Sequence, residues 1–94
     1  MTLLASIQDA DGRVVELTDE RWSHITERHP EIAPFIDEVL HAVSSPDRRV
    51  VGRAANELWF YMRTNAPSAW LKVVVAYAEG RGHIVTAHAR RSMP

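Results

Sequence analysis

The stretch ELWFYMRTNAPSAWLKVVVAYAEGRGHIVTAHAR, residues 57–90, separates into two unlike faces when read by strand parity. Successive side chains of a strand point to opposite sides, so residues two apart share a face. One set holds Leu58, Phe60 and Met62, then Leu71, Val73 and Val75, then Val85 and Ala87. It is an apolar surface fit to receive a helix. The other set holds Glu57, Trp59, Tyr61 and Arg63, then Trp70 and Lys72, then Thr86, His88 and Arg90, with Val74 and Ile84 as apolar exceptions. Upstream, RRVVGRA from Arg48 has the same β-branched character, and the breaks at AAN, NAPS and EGRG mark turns. The pattern predicts a four-stranded antiparallel meander.

Toward the N-terminus the period changes. Ile32, Phe35, Ile36, Val39, Leu40 and Val43 follow helical spacing until SSPD, residues 44–47, ends the run. This helix is expected to cover the apolar face, with Phe35 as a core contact. Before it, LTDERW supplies a second helix start. Thr18 can cap, Asp19 and Glu20 complement the positive end of the dipole, and Leu17 and Trp22 occupy the positions of a hydrophobic staple. Pro30 disfavours helical geometry at His29, so the chain should break there and restart. Residues 4–17, LASIQDADGRVVEL, read as a hairpin turning at DADG. The expected fold is α+β, an N-terminal hairpin and two helices packed on one face of a four-stranded antiparallel sheet, with residues 1–94 as a single domain.

Composition fits that reading. The 94 residues are 46% hydrophobic and 24% charged, enough for one core, and the absence of cysteine removes disulfides and thiolate metal sites. No segment approaches the roughly 18 apolar residues of a membrane span, and the opening MTLLASIQDADG lacks the basic and apolar regions of a signal peptide. Cytoplasmic residence without membrane contact is the expectation. A formal net charge of −1 argues against indiscriminate nucleic-acid binding. Its distribution is uneven, however. After Asp47 only Glu57 and Glu79 are acidic, against Arg48, Arg49, Arg53, Arg63, Lys72, Arg81, Arg90 and Arg91.

The polar strand face can be read as the wet side of a sheet, where Lys, Arg, Thr and Tyr are routine. Trp59, Tyr61 and Trp70 are costly there, and aromatic rings beside Lys and Arg are what base stacking and phosphate neutralisation require. Glu57 and His88 add a candidate base and acid to the same face. On the first helix His24 and Arg28 lie four apart on one side, while Trp22 and Ile25 are expected in the core and His29 sits at the C-terminal end. Taken singly, these are a solvated histidine and a helix-terminal histidine. Together with Arg28 they could grip a phosphate. Imidazoles five apart do not share a face as metal ligands four apart do, and no Cys or carboxylate completes a known spacing, so neither metal nor cofactor is expected.

LTDERWSHITERHPEI, NELWFYMR, WLKVVVAY and IVTAHARR together resemble the nuclease-like domains of the barnase/EndoU/colicin/RelE superfamily, toxin-type members included, over about Leu17 to Arg91. The resemblance implies N-terminal helices on a four-stranded antiparallel sheet and metal-independent cleavage of RNA. It implies His24, Arg28 and His29 of the helix motif, Lys72 of the central strand, and Thr86, His88 and Arg90 of the last strand as site residues.

Such cleavage needs a base for the 2′-hydroxyl, cations for the charged transition state and an acid for the leaving 5′-oxygen. His88 and a helix histidine are expected to divide acid and base, with Glu57 as the alternative base. Lys72, Arg28 and Arg90 would stabilise the phosphate, Trp59 or Tyr61 would stack on a base, and Arg63 and Thr86 would add substrate contacts. RNA is then the expected partner, and a toxin would also meet a protein antitoxin or inhibitor. The competing expectation is a non-catalytic module that uses the same face to bind RNA or protein.

Overall fold

The computed structural model describes residues 2–93. In chain order the elements are β1 (Leu3–Gln8), β2 (Val14–Thr18), α1 (Asp19–Arg28), a 3-10 helix (Pro30–Phe35), α2 (Ile36–Ser44), β3 (Arg48–Val51), β4 (Glu57–Arg63), β5 (Trp70–Ala78) and β6 (Arg81–Arg90). The class is α+β. The sheet has six strands in the order β1-β2-β6-β5-β4-β3 and is mixed, where the sequence suggested four antiparallel strands. The meander β3 to β6 forms, but the N-terminal hairpin joins it through a short parallel pairing of Val15 and Glu16 with Gly82 and His83. Parallel neighbours require a long crossover. Here the helices and three intervening strands supply it, and no local spacing in the sequence signals such a pairing.

The helical segment begins where capping chemistry places it. Thr18 Oγ1 accepts a hydrogen bond from the Arg21 amide at 3.2 Å, and Leu17 and Trp22 both pack into the core. The His29 amide donates to the Ile25 carbonyl at 2.8 Å, and Pro30, lacking an amide proton, ends the helix. The single helix expected from Ile32 onward is divided. Pro34 cannot enter an α-helical ladder, so Pro30–Phe35 winds as a 3-10 helix and α2 starts at Ile36. Ile32 is fully buried from this turn, whereas Phe35 is only half-buried and lies outside the central core.

The core gathers Val15 and Leu17 of β2, Ile25 of α1, Val39, Ala42 and Val43 of α2, and Phe60, Leu71, Val73, Val75, Ile84 and Ala87 of the sheet. One position reverses the parity reading. β6 pairs Ile84 with Val75 and Thr86 with Val74, leaving Val85 as an extra residue, a β-bulge. Ile84 therefore enters the core and Val85 turns to the polar side, the opposite of the expectation, while Thr86, His88 and Arg90 keep the face assigned to them.

A polar clasp fastens the hairpin to the rest. The Asp9 side chain has no exposed surface, and accepts hydrogen bonds from the amides of Asp11 and Arg13, from Arg13 Nε and from the Tyr77 hydroxyl. Burial opposes its charge, but these bonds and the Arg13 charge outweigh that and hold its pKa below 3.8. The Arg13 guanidinium also stacks over the Tyr77 ring at 4.0 Å. Asp11 in the same turn accepts from Arg49 of β3 at 2.6 Å, so a turn at one sheet edge is joined to the strand at the other.

Candidate functional site

Strand register aligns one row of residues across four strands of the polar face. Arg48 is opposite Tyr61, Tyr61 opposite Lys72, and Lys72 opposite His88. The row then leaves the sheet. The ring of His29, at the junction of α1 and the 3-10 helix, stacks on the ring of His88 with centroids 5.1 Å apart and planes inclined by 28°. This contact is possible because β2 pairs with β6 only as far as His83 and both α1 and the 3-10 helix contact β6.

The row is much less exposed than a wet sheet face. Tyr61 is fully buried and Lys72 is 7% exposed. The Tyr61 ring thus offers no surface on which a base could stack, a correction to that expected role. Among the described residues the Tyr61 hydroxyl and His88 Nδ1 are buried without a hydrogen-bond partner. An unsatisfied buried polar atom costs on the order of 1 to 3 kcal/mol, so two in neighbouring positions point to a place kept for a ligand or for chemistry.

Lys72 has a distinctive setting. Its ammonium lies 3.5 Å from the centroid of the Trp59 ring and 6.0 Å from that of Tyr61. Among the described residues it has no ion pair within salt-bridge distance. Burial, followed by repulsion from Arg90, lowers its pKa from the usual 10.5 against the opposing pull of Glu57. Glu57 itself accepts a 2.7 Å hydrogen bond from the Trp59 indole, which anchors the ring beneath the ammonium. Its strand position is four residues from Tyr61, roughly 13 Å along β4, so it supports Trp59 more directly than it could serve the histidine pair. Gly52 permits this packing: a methyl group there would come within 2.7 Å of Glu57 Oε1 and 2.8 Å of Trp59 Nε1. Gly52→Ala is expected to cost about 1 to 3 kcal/mol through overpacking, measurable by denaturant unfolding.

Burial is also the main reason that the His88 pKa falls below 6.5, and Lys72, His29 and Arg90 push it the same way while Glu31 opposes them. His88 is accordingly neutral at neutral pH. His29 Nδ1 lies 3.7 Å from the Glu31 carboxylate, a partner that stabilises it when protonated. Between α1 and β6 runs a groove of about 600 Å³ lined by Arg21, His24, Arg28, His29, Thr86 and His88, among others. The structure thus brings His24, Arg28, His29, Thr86 and His88 together, with Lys72 beside them in the row. Arg90 stands one strand repeat beyond His88, opposite Trp70, and Arg63 lies over the Trp70 ring at 5.4 Å. Both are peripheral to the groove lining.

Arg21 was not among the residues expected here. Its signal was available, because Arg21, His24 and Arg28 are spaced i, i+3 and i+7 and form one helix stripe. Among the described residues no group of three or more His, Cys, Asp or Glu side chains is arranged to hold a metal ion. No helix among them is long and apolar enough to cross a membrane. Comparisons with protein-family models, curated proteins and solved structures yield no match.

Proposed function

We propose that this chain is a metal-independent endoribonuclease of the barnase/EndoU/colicin/RelE type, acting as the toxin of a toxin–antitoxin pair. The observation that carries the reading is the stacked His29–His88 pair at a cationic groove, with the poorly solvated Lys72 ammonium in the next register position. A neutral imidazole beside a second imidazole with a carboxylate partner matches the needs of paired proton transfer. His88 takes the proton of the 2′-hydroxyl, the 2′-oxygen attacks phosphorus, and the bond to the 5′-oxygen breaks as His29 protonates that oxygen. The products are a 2′,3′-cyclic phosphate and a 5′-hydroxyl. Lys72, Arg28 and Arg90 stabilise the charge that builds on the phosphoryl oxygens, where low exposure makes a cation more effective than in water.

The antitoxin, in this reading, covers the groove with carboxylates that replace the phosphate. Incubation of the purified chain with single-stranded RNA and with DNA of the same sequence tests the activity. Expected are RNA fragments ending in cyclic phosphate, intact DNA, and the same rate with and without a chelator. RNA that is bound but never cut would replace the enzyme by a binding module, and loss of cleavage on chelation would overturn metal independence.

A further inference from the structure

The α1–β6 groove does not stop at the histidine pair. Arg21 and His24 also line a second cavity of about 300 Å³, nearer the start of α1, whose other walls include Glu16, Glu20 and His83. The two cavities therefore share a wall and differ in charge. One end presents Arg28 with His29 and His88, while the other presents two carboxylates. Glu16 is held in place: it lies opposite His83 in the β2–β6 register, and Arg81 donates to its Oε2 at 2.9 Å. That bond engages one oxygen of the carboxylate.

We infer that the acidic cavity reads the base of the nucleotide whose phosphate sits at the His29–His88 pair, and that the base it selects is guanine. The inference rests on the ribonuclease reading and deepens it. Carboxylates are acceptors only, so the cavity favours a ligand edge that presents donors. The pairing edge of guanine carries a ring N–H beside an amino group, two adjacent donors that one carboxylate can receive. Adenine and cytosine place a ring acceptor beside their amino group, and uracil flanks its single N–H with two carbonyls, so each sets an acceptor against the carboxylate. The acceptors at guanine O6 and N7 match the donors of Arg21, as in arginine readout of guanine elsewhere. The spacing also fits. From His24 to His29 the helix rises about 7.5 Å, on the order of the distance from a phosphate to its own base.

The test measures binding of the four nucleoside 3′-monophosphates and of inorganic phosphate to the full chain by calorimetry. The 3′-guanosine monophosphate is expected to bind at least about tenfold more tightly than the other three, the discrimination of one well-placed bidentate contact. Glu16→Gln is expected to bring that ratio close to one, whereas His88→Ala should weaken all four nucleotides alike. Equal affinity for all four nucleotides overturns base reading while leaving the phosphate site standing. A guanine preference that survives both Glu16→Gln and Glu20→Gln overturns the cavity assignment. Failure of every nucleotide and of phosphate to bind removes the ribonuclease reading and this inference with it.

Discussion

Asp9→Ala is expected to destabilise the protein by about 3 to 5 kcal/mol, the usual cost of removing one partner from a buried, hydrogen-bonded ion pair. The alanine leaves the amides of Asp11 and Arg13, the Arg13 guanidinium and the Tyr77 hydroxyl without their shared acceptor. A domain of this size has a total stability of about 5 to 15 kcal/mol, so the variant should unfold at much lower denaturant concentration. The pH dependence follows from the same group. Its folded pKa is depressed below 3.8, so its contribution is complete above that value and is lost as pH falls through the lower, folded value. Acid titration should thus destabilise the wild type more steeply below pH 3.8 than Asp9→Ala. Equal stability of the two proteins at neutral pH would show that the clasp is not what holds the hairpin.

His88→Ala and Lys72→Ala should each reduce RNA cleavage by at least about a hundredfold, the low end for losing a general base or a transition-state cation. Circular dichroism should report the same fold for both variants. The acidic limb of the kcat/KM profile provides an independent check. His88 must be neutral to accept a proton and its pKa is depressed, so activity should persist as the solution is acidified to pH 6.5 and fall only below it. Full activity in either variant would remove that residue from the mechanism, and a limb centred above pH 6.5 would reassign the base.

Much of this arrangement could be read from local rules. Alternation in ELWFYMR and WLKVVVA placed Phe60 and Val73 against α2 and turned Trp59, Tyr61 and Lys72 away from it, because one residue of slip would have buried the charges. Thr18 and Pro30 bounded α1 through capping and the missing proline amide. What parity could not give was the bulge at Val85, because an extra residue in one strand is defined only against its partner. Nor could it give the burial of Tyr61, since facing a side of the sheet does not say how far that side is covered. The joining of β2 to β6 and the stacking of His29 on His88 link residues separated by more than half the chain. The sequence supplied both imidazoles, but only the incomplete pairing along β6 lets the helix end reach the strand.

The place of β6 between β2 and β5 has a consequence for the timing of assembly. Every other strand precedes it in the chain, yet it forms the seam joining the N-terminal hairpin to the meander. During synthesis the hairpin and the sheet from β3 to β5 must wait as two unconnected halves until this strand has been made and has inserted between them. The same insertion carries His88 to His29. A growing polypeptide therefore cannot display the paired imidazoles before its central seam has closed, so the ribosome making the chain meets no partly built version of the site.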